Sequence, residues 1–220
     1  MPAHDTIEAV ENRVSLRNEP VQARSAARLE TLLDAAAAVV DEIGFERLTT
    51  AMVAERAGAS IGTVYRYFPD RIALLEALSA RNLDRVLARV GEEVRRPEYQ
   101  DWFAAMSGAM GILVQAFREE PGFRGLRVGD VIDLRPVSTE RTAKSVVADR
   151  MLEGLVDRFG IADTADVRLR FEAAIELSDA LATRAFRVDD AGDDRFLRLG
   201  QEAAYRLLTP ALGEVESAGI

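Results

Sequence analysis

The chain has 220 residues, 48% of them hydrophobic and 30% charged, with 37 acidic against 28 basic residues and a formal net charge of −9. That is globular composition, long enough for one large domain or a small one joined to a larger. The absence of cysteine removes disulfides, thiolate metal sites and cysteine nucleophiles. The single histidine, His4, leaves no Ser–His–Asp triad, Cys–His dyad, HExxH zinc site or ExxH di-metal site.

No apolar run reaches the roughly 18 residues that a membrane helix needs. The N-terminus opens with acids and lacks the apolar core of a secretory signal. The expectation is a soluble cytoplasmic protein without a membrane partner. Lys144 is the only lysine against 27 arginines, as GC-rich codon usage produces, and the only candidate for Schiff-base chemistry. Residues 1–80 hold eight arginines and twelve acids, and residues 81–220 twenty cations and twenty-five acids. This balance argues against a bulk, charge-driven nucleic-acid coat but not against a local positive surface, because binding depends on which charges face phosphate.

Residues 1–22 mix charges with weak periodicity and read as a mobile arm. From Ser25 to Ile43 the apolar residues Leu29, Leu32, Leu33, Ala36, Val40 and Ile43 mark one helix face. Gly44 stops that helix. Thr49 and Thr50 offer N-caps for a short helix through Ala57, Gly58 ends it, and Ser60 caps the next through Tyr67. Pro69 breaks the chain, and Asp70 caps a long helix carrying Leu74, Leu75, Leu78, Leu83, Val86, Leu87 and Val90. Further helices are predicted over 99–119, 139–159, 165–187 and 194–214. A loop with a helical turn connects them at Pro121–Pro136, and a turn at Val188–Asp194. The fold class is all-α, without an internal repeat.

Residues 50–68 carry the most information. Two short helices joined by a three- or four-residue turn have helix-turn-helix geometry. Ala54 is small where the helices cross, Gly58 suits a turn needing positive φ, and Val64 faces back to the core. The second helix presents Ser60, Gly62, Thr63 and Tyr67, short hydrogen-bonding groups beside an aromatic hydroxyl that suit a major groove. Gly58–Gly62 also matches the G-x-S-x-G nucleophile elbow, but that motif requires a preceding strand and a histidine partner. The glycine-rich stretch Gly122–Gly129 fits neither a dinucleotide fingerprint nor a P-loop.

The run from Thr50 through Val53-Ala54, Ala57-Gly58-Ala59-Ser60-Ile61-Gly62-Thr63-Val64-Tyr65-Arg66-Tyr67-Phe68 to Arg71 and Leu75 resembles the DNA-binding domain of the TetR family of transcriptional regulators. The resemblance covers about residues 25–76. It implies an N-terminal three-helix DNA-binding domain over 23–72 and a larger helical ligand-binding and dimerisation domain over 73–220. Thr50 then abuts the DNA backbone, and Ser60, Ile61, Gly62 and Thr63 open the recognition helix. Tyr65, Tyr67 and Arg71 meet phosphates in the family. Ile61 departs from the polar or basic residue of other members; it suits a thymine methyl and cannot bond guanine. Arg66 either supplies that guanine contact or binds phosphate. Arg24 and Arg28 either add backbone contacts or are ordinary solvated arginines. Tyr65 is either a contact or partly core. Arg13 and Arg17 are within reach of a minor groove.

The larger half carries small and apolar residues at helical spacing: Ile175, Ser178, Leu181, Ala182 and Ala185, then Phe196, Gly200, Ala203, Ala204 and Leu207. These faces either form a four-helix homodimer interface or pack within one chain. Trp102, Phe103, Met106, Met110 and Phe117, with Phe123, Phe159 and Phe171, either line an apolar effector pocket or build ordinary core. Arg124, Arg127 and Arg135 are candidates for a pocket mouth. The acidic pairs Glu119/Glu120 and Asp189/Asp190 diverge around a helix as solvated faces do. The resulting expectation is a repressor, released from a palindromic double-stranded DNA operator by a small apolar effector, with no enzymatic activity, cofactor or metal. The alternatives are an activator or protein-signalled regulator of the same fold, or a helical adaptor that binds no DNA.

Overall fold

The computed structural model describes residues 4–120, 122–123 and 143–215, with side chains from residue 23 onward except at 143 and 188. The described residues form eight α-helices and one 3₁₀ turn, with no strand among them. The chain divides into two compact units, Met1–Leu75 and Glu76–Ile220.

The first unit contains α1 (His4–Ile43), the 3₁₀ turn Phe45–Arg47, α2 (Thr50–Arg56), α3 (Ile61–Tyr67) and the opening turn of α4 (Arg71–Val94). The apolar stripe of α1 supplies Leu32, Leu33, Ala36, Val39 and Val40 to its core. Leu48, Val53, Ala54, Val64 and Phe68 close over them. Each fully buried leucine, valine or phenylalanine stabilises the unit by roughly 1.5–3 kcal/mol. Local signals set the helix starts. The Thr49 hydroxyl accepts from the Met52 N–H at 3.2 Å, the Ser60 hydroxyl from the Thr63 N–H at 3.1 Å, and the Asp70 carboxylate from the Ala73 N–H at 2.8 Å. Caps of this kind are worth about 1 kcal/mol each.

Gly58 ends α2 with φ of 58°. Its N–H donates to the Glu55 carbonyl and the next N–H, of Ala59, to the Ala54 carbonyl. That pair of bonds is a Schellman closure, which needs a left-handed residue and therefore favours glycine.

The helix predicted from Ser25 begins at His4, so helical backbone runs through residues 4–22, which the sequence presents as an arm. A reading by apolar stripe does not detect a helix that extends beyond its stripe.

The second unit comprises the rest of α4, α5 (Trp102–Glu119), α6 (Ala143–Phe159), α7 (Ala165–Val188) and α8 (Asp194–Leu212). Val86, Val90, Val94, Met106, Met151, Leu152, Leu155, Phe171 and Leu208 form its buried centre. The predicted helix over 99–119 starts three residues later because Asp101 caps it, accepting from the Ala104 N–H at 2.9 Å. Thr164 and Asp193 cap α7 and α8 in the same way. The predicted helix over 139–159 is described from Ala143. The connector Pro121–Pro136, apart from residues 122 and 123, lies outside the described residues, as do Arg124, Arg127 and Arg135. Among the described residues no helix is long and apolar enough to cross a membrane.

Candidate nucleic-acid interface and effector cleft

Helix α3 turns one face inward and leaves the other open. Val64 is wholly buried and Phe68 nearly so, while Ser60, Ile61, Gly62, Tyr65 and Arg66 are exposed. Ile61 remains 44% exposed and Tyr65 52%, values that separate them from the core. The Ser60 and Thr63 hydroxyls lie 2.9 Å apart, so capping and the open polar edge share the same two side chains. The Arg66 guanidinium stands over the Tyr67 ring at 5.3 Å from its centre.

Several of the predicted contacts have partners inside the unit. Thr50 is buried and its hydroxyl donates to the Tyr65 hydroxyl at 3.3 Å, so it braces α2 against α3. The Tyr67 hydroxyl is 3.2 Å from the Ser25 hydroxyl and also donates to the Ser25 carbonyl at 3.4 Å. The Ser25 bond, with Arg66 and Arg28 nearby, lowers the Tyr67 hydroxyl below its ordinary value. Ser25, Arg28, Arg66 and Tyr67 are thus gathered at one end of α3. Ser25, 42 positions from Tyr67, was not legible as part of this cluster. Arg24 is exposed at the same part of α1. The Arg71 guanidinium donates to the Phe45 carbonyl at 2.6 Å, which ties the 3₁₀ turn to the start of α4.

The second unit holds an apolar cleft between α5, α6, α7 and α8, with about 640 Å³ of empty space counted to its open mouth. Met110, Leu113, Val114 and Phe117 of α5 form one wall, and Val147, Ile175 and Leu197 face them. Lys144, Ser178, Asp179 and Gln201 provide the polar edge.

Of the eight residues predicted for a pocket, Met110 and Phe117 line this cleft, and the other six do not. Trp102 stacks on Tyr205 at 5.8 Å, Phe103 meets the same ring edge-on at 4.8 Å, and the Trp102 indole N–H donates to the Gly213 carbonyl. Met106 and Phe171 are fully buried, and Phe123 packs edge-on against Phe117. Phe159 lies half-buried at the edge of the same core, under the Arg158 guanidinium. Large aromatic side chains at helical spacing here fill the interior, as such rings do when partner rings are close.

The predicted dimer faces are in part engaged within the single chain. Ile175, Ala185, Gly200 and Ala204 are buried within the single chain, and Ser178, Ala182, Ile175 and Gly200 border the cleft. The Ser178 hydroxyl donates to the Gly200 carbonyl at 3.4 Å, so the small residues serve the close packing of α7 on α8. Leu181, Phe196, Ala203 and Leu207 are half-buried. The large apolar side chains left exposed on these two helices are Leu169, Leu177 and Leu199.

Comparison with known proteins follows the same division. The family model "Bacterial regulatory proteins, tetR family" matches residues 32–78, and "Tetracyclin repressor-like, C-terminal domain" matches residues 100–212. A crystal structure of a TetR-family transcriptional regulator from Streptomyces coelicolor is 32% identical, with a TM-score of 0.69 over 84% of this chain and 99% of that one. The HTH-type transcriptional repressor KstR of Mycolicibacterium smegmatis is 30% identical over 134 residues, 60% of this chain and 57% of the relative. KstR of Rhodococcus jostii is 40% identical over 62 residues, 28% of this chain and 29% of the relative. These alignments therefore span less than two thirds of the curated relatives. The helix-turn-helix, the all-helical second unit and the match over residues 100–212 together place this chain in the TetR family of bacterial regulatory proteins.

Proposed function

We propose that this chain is a dimeric transcriptional repressor that binds double-stranded operator DNA in the cytoplasm through α3. In this reading it leaves the operator when a small, largely apolar molecule occupies the cleft of the second unit. The observation that carries the reading is the open face of α3, where Ser60, Ile61, Gly62, Tyr65 and Arg66 are all exposed while Val64 anchors the helix from behind. Short polar groups and one apolar side chain at a helix N-terminus suit base edges and a thymine methyl. Arg24, Arg28 and Arg66 supply positive charge beside them, suited to phosphate. That the matched KstR relatives are named repressors favours repression over activation.

A dimer supplies the affinity that one helix-turn-helix lacks, since two joined units read two half-sites. The exposed Leu169, Leu177 and Leu199 on α7 and α8 suit a two-fold interface of four helices. Helix α4 begins in the first unit and continues into the second, which offers a covalent path for a signal. An effector that favours the state unable to bind DNA by about 1–3 kcal/mol lowers operator affinity roughly 5–150-fold.

Fluorescence anisotropy with DNA from upstream of the chain's own gene, at two salt concentrations, tests this reading. The expected result is tight, salt-dependent binding that is lost in a Thr63→Ala/Arg66→Ala variant. Failure to bind in a genome-wide selection as well would remove the DNA-binding function.

A further inference from the structure

The open face of α3 has no side chain at its centre. At about 100° per residue the exposed positions Ile61, Gly62, Tyr65 and Arg66 share one side of the helix, while Val64 is buried on the other. Gly62 falls in the middle of that arc, with Ile61 and Tyr65 to one side and Arg66 to the other. Inside a helix glycine is roughly fivefold less favourable than alanine. No contact within the chain calls for it here. The backbone at Gly62 is helical, and a β-carbon there would meet only the Ser60 hydroxyl oxygen, at an ordinary 3.9 Å. Gly58 differs, because its φ of 58° itself favours glycine. The reason for Gly62 therefore lies outside the chain, in something that comes close to the bare helix.

The polar groups around it discriminate poorly between bases. The Ser60 and Thr63 hydroxyls lie 2.9 Å apart, and Ser60 also takes the Thr63 N–H. The Tyr65 hydroxyl accepts from Thr50 at 3.3 Å. A hydroxyl both donates and accepts, so it bonds to any base edge. Helix α3 holds no Asn, Gln, Asp or Glu, the side chains that single out adenine or cytosine. What the face does offer is Ile61, 44% exposed, beside the bare position.

We infer that Gly62 lets α3 approach the major-groove floor closely enough for Ile61 to read a thymine C5-methyl. One base step in each operator half-site is then chosen by a methyl group rather than by a hydrogen bond. The determinant is the methyl and not the base, so 5-methylcytosine, which presents that group from the same edge, serves in its place and uracil does not. This inference rests on the operator-binding reading of α3 and specifies what the operator must carry.

The duplex that the full chain enriches from a random library supplies the probe. Fluorescence anisotropy measures its binding with each thymine in turn replaced by deoxyuridine, which removes the methyl and keeps the pairing with adenine. One thymine per half-site is expected to lose about fourfold in affinity, and the symmetric pair about fifteenfold, as one and two buried methyls contribute. At that position 5-methylcytosine should bind about fourfold more tightly than cytosine. Ile61→Ser should erase both ratios and leave the salt slope unchanged. Gly62→Ala should melt at or above the parent temperature and bind the same duplex roughly tenfold or more weakly, as steric insertion does. A duplex with no uridine-sensitive thymine overturns the inference, as does sensitivity that persists in Ile61→Ser or a Gly62→Ala variant with the parent's affinity. Those outcomes leave operator binding in place. A selection that enriches no sequence removes operator binding and this inference with it.

Discussion

The Tyr99 hydroxyl oxygen stands 2.1 Å from the point where a β-carbon on residue 108 would lie, so Gly108 is the residue that lets this ring reach α5. The same hydroxyl donates to the Glu93 carboxylate, and that bond raises the Tyr99 hydroxyl above its ordinary value. The hydroxyl end of the ring is thus held between α5 and the last turn of α4.

Gly108→Ala is therefore expected to destabilise the second unit by about 1–3 kcal/mol, as overpacking does. The gain in helix propensity from alanine, up to about 1 kcal/mol, offsets only part of this. Thermal melting checks the magnitude. In a Tyr99→Ala background the substitution should become neutral or stabilising, and a double-mutant cycle that is simply additive would refute the contact.

Arg71 and Arg66 are expected to separate cleanly. Arg71 donates to the Phe45 carbonyl, so Arg71→Ala should lower the thermal stability of the chain by about 1 kcal/mol even without DNA. Arg66 is exposed and, among the described residues, makes no such carbonyl bond. Arg66→Ala should leave the melting temperature in place and reduce the salt slope of DNA binding by about 1. A full-strength slope in the Arg66 variant would take that residue off the phosphate contacts.

Leu177 is 41% exposed on α7 and Leu199 48% exposed on α8, a large apolar investment for surfaces facing water. The double substitution Leu177→Arg/Leu199→Arg should shift the protein from dimer to monomer in sedimentation equilibrium and weaken operator binding in parallel. A dimer of unchanged strength would move the interface elsewhere on the second unit.

Asp193 contributes to stability on the acid side. Its carboxylate accepts from the Arg195 guanidinium at 2.6 Å and from the Arg195 N–H at 3.0 Å while capping α8, and it titrates at about 2 rather than near 3.8. The folded state thus binds this proton more weakly than the unfolded chain. The stabilisation is complete above about pH 4 and is lost as the pH falls toward about 2. Asp193→Asn should melt earlier than the parent at neutral pH, and the gap should close across that acid window. A gap that persists at about pH 2 would assign the effect to packing rather than charge.

The sequence by itself determined the helical class, the helix-turn-helix at residues 50–68 and the buried face of α3, whereas of the four residues it turned outward Ser60 and Gly62 are exposed and Thr63 and Tyr67 half-buried. All of these rest on neighbours within a few residues: a capping Ser60, a left-handed Gly58, an apolar Val64 one turn from its partners. Such signals are local, so reading the chain in order recovers them.

Only the tertiary structure decided which side chains meet across long separations. Thr50 turns to Tyr65, Tyr67 reaches back to Ser25, and Arg71 is taken by Phe45. In the second unit Trp102 and Phe103 find Tyr205 about a hundred residues later and become core, while Lys144 finds Asp179 and Glu176 and becomes the edge of a cleft. An apolar stripe looks the same in sequence whether it packs on its own chain, on a ligand or on a second subunit. Periodicity reports that a face is buried, and the fold alone decides against what.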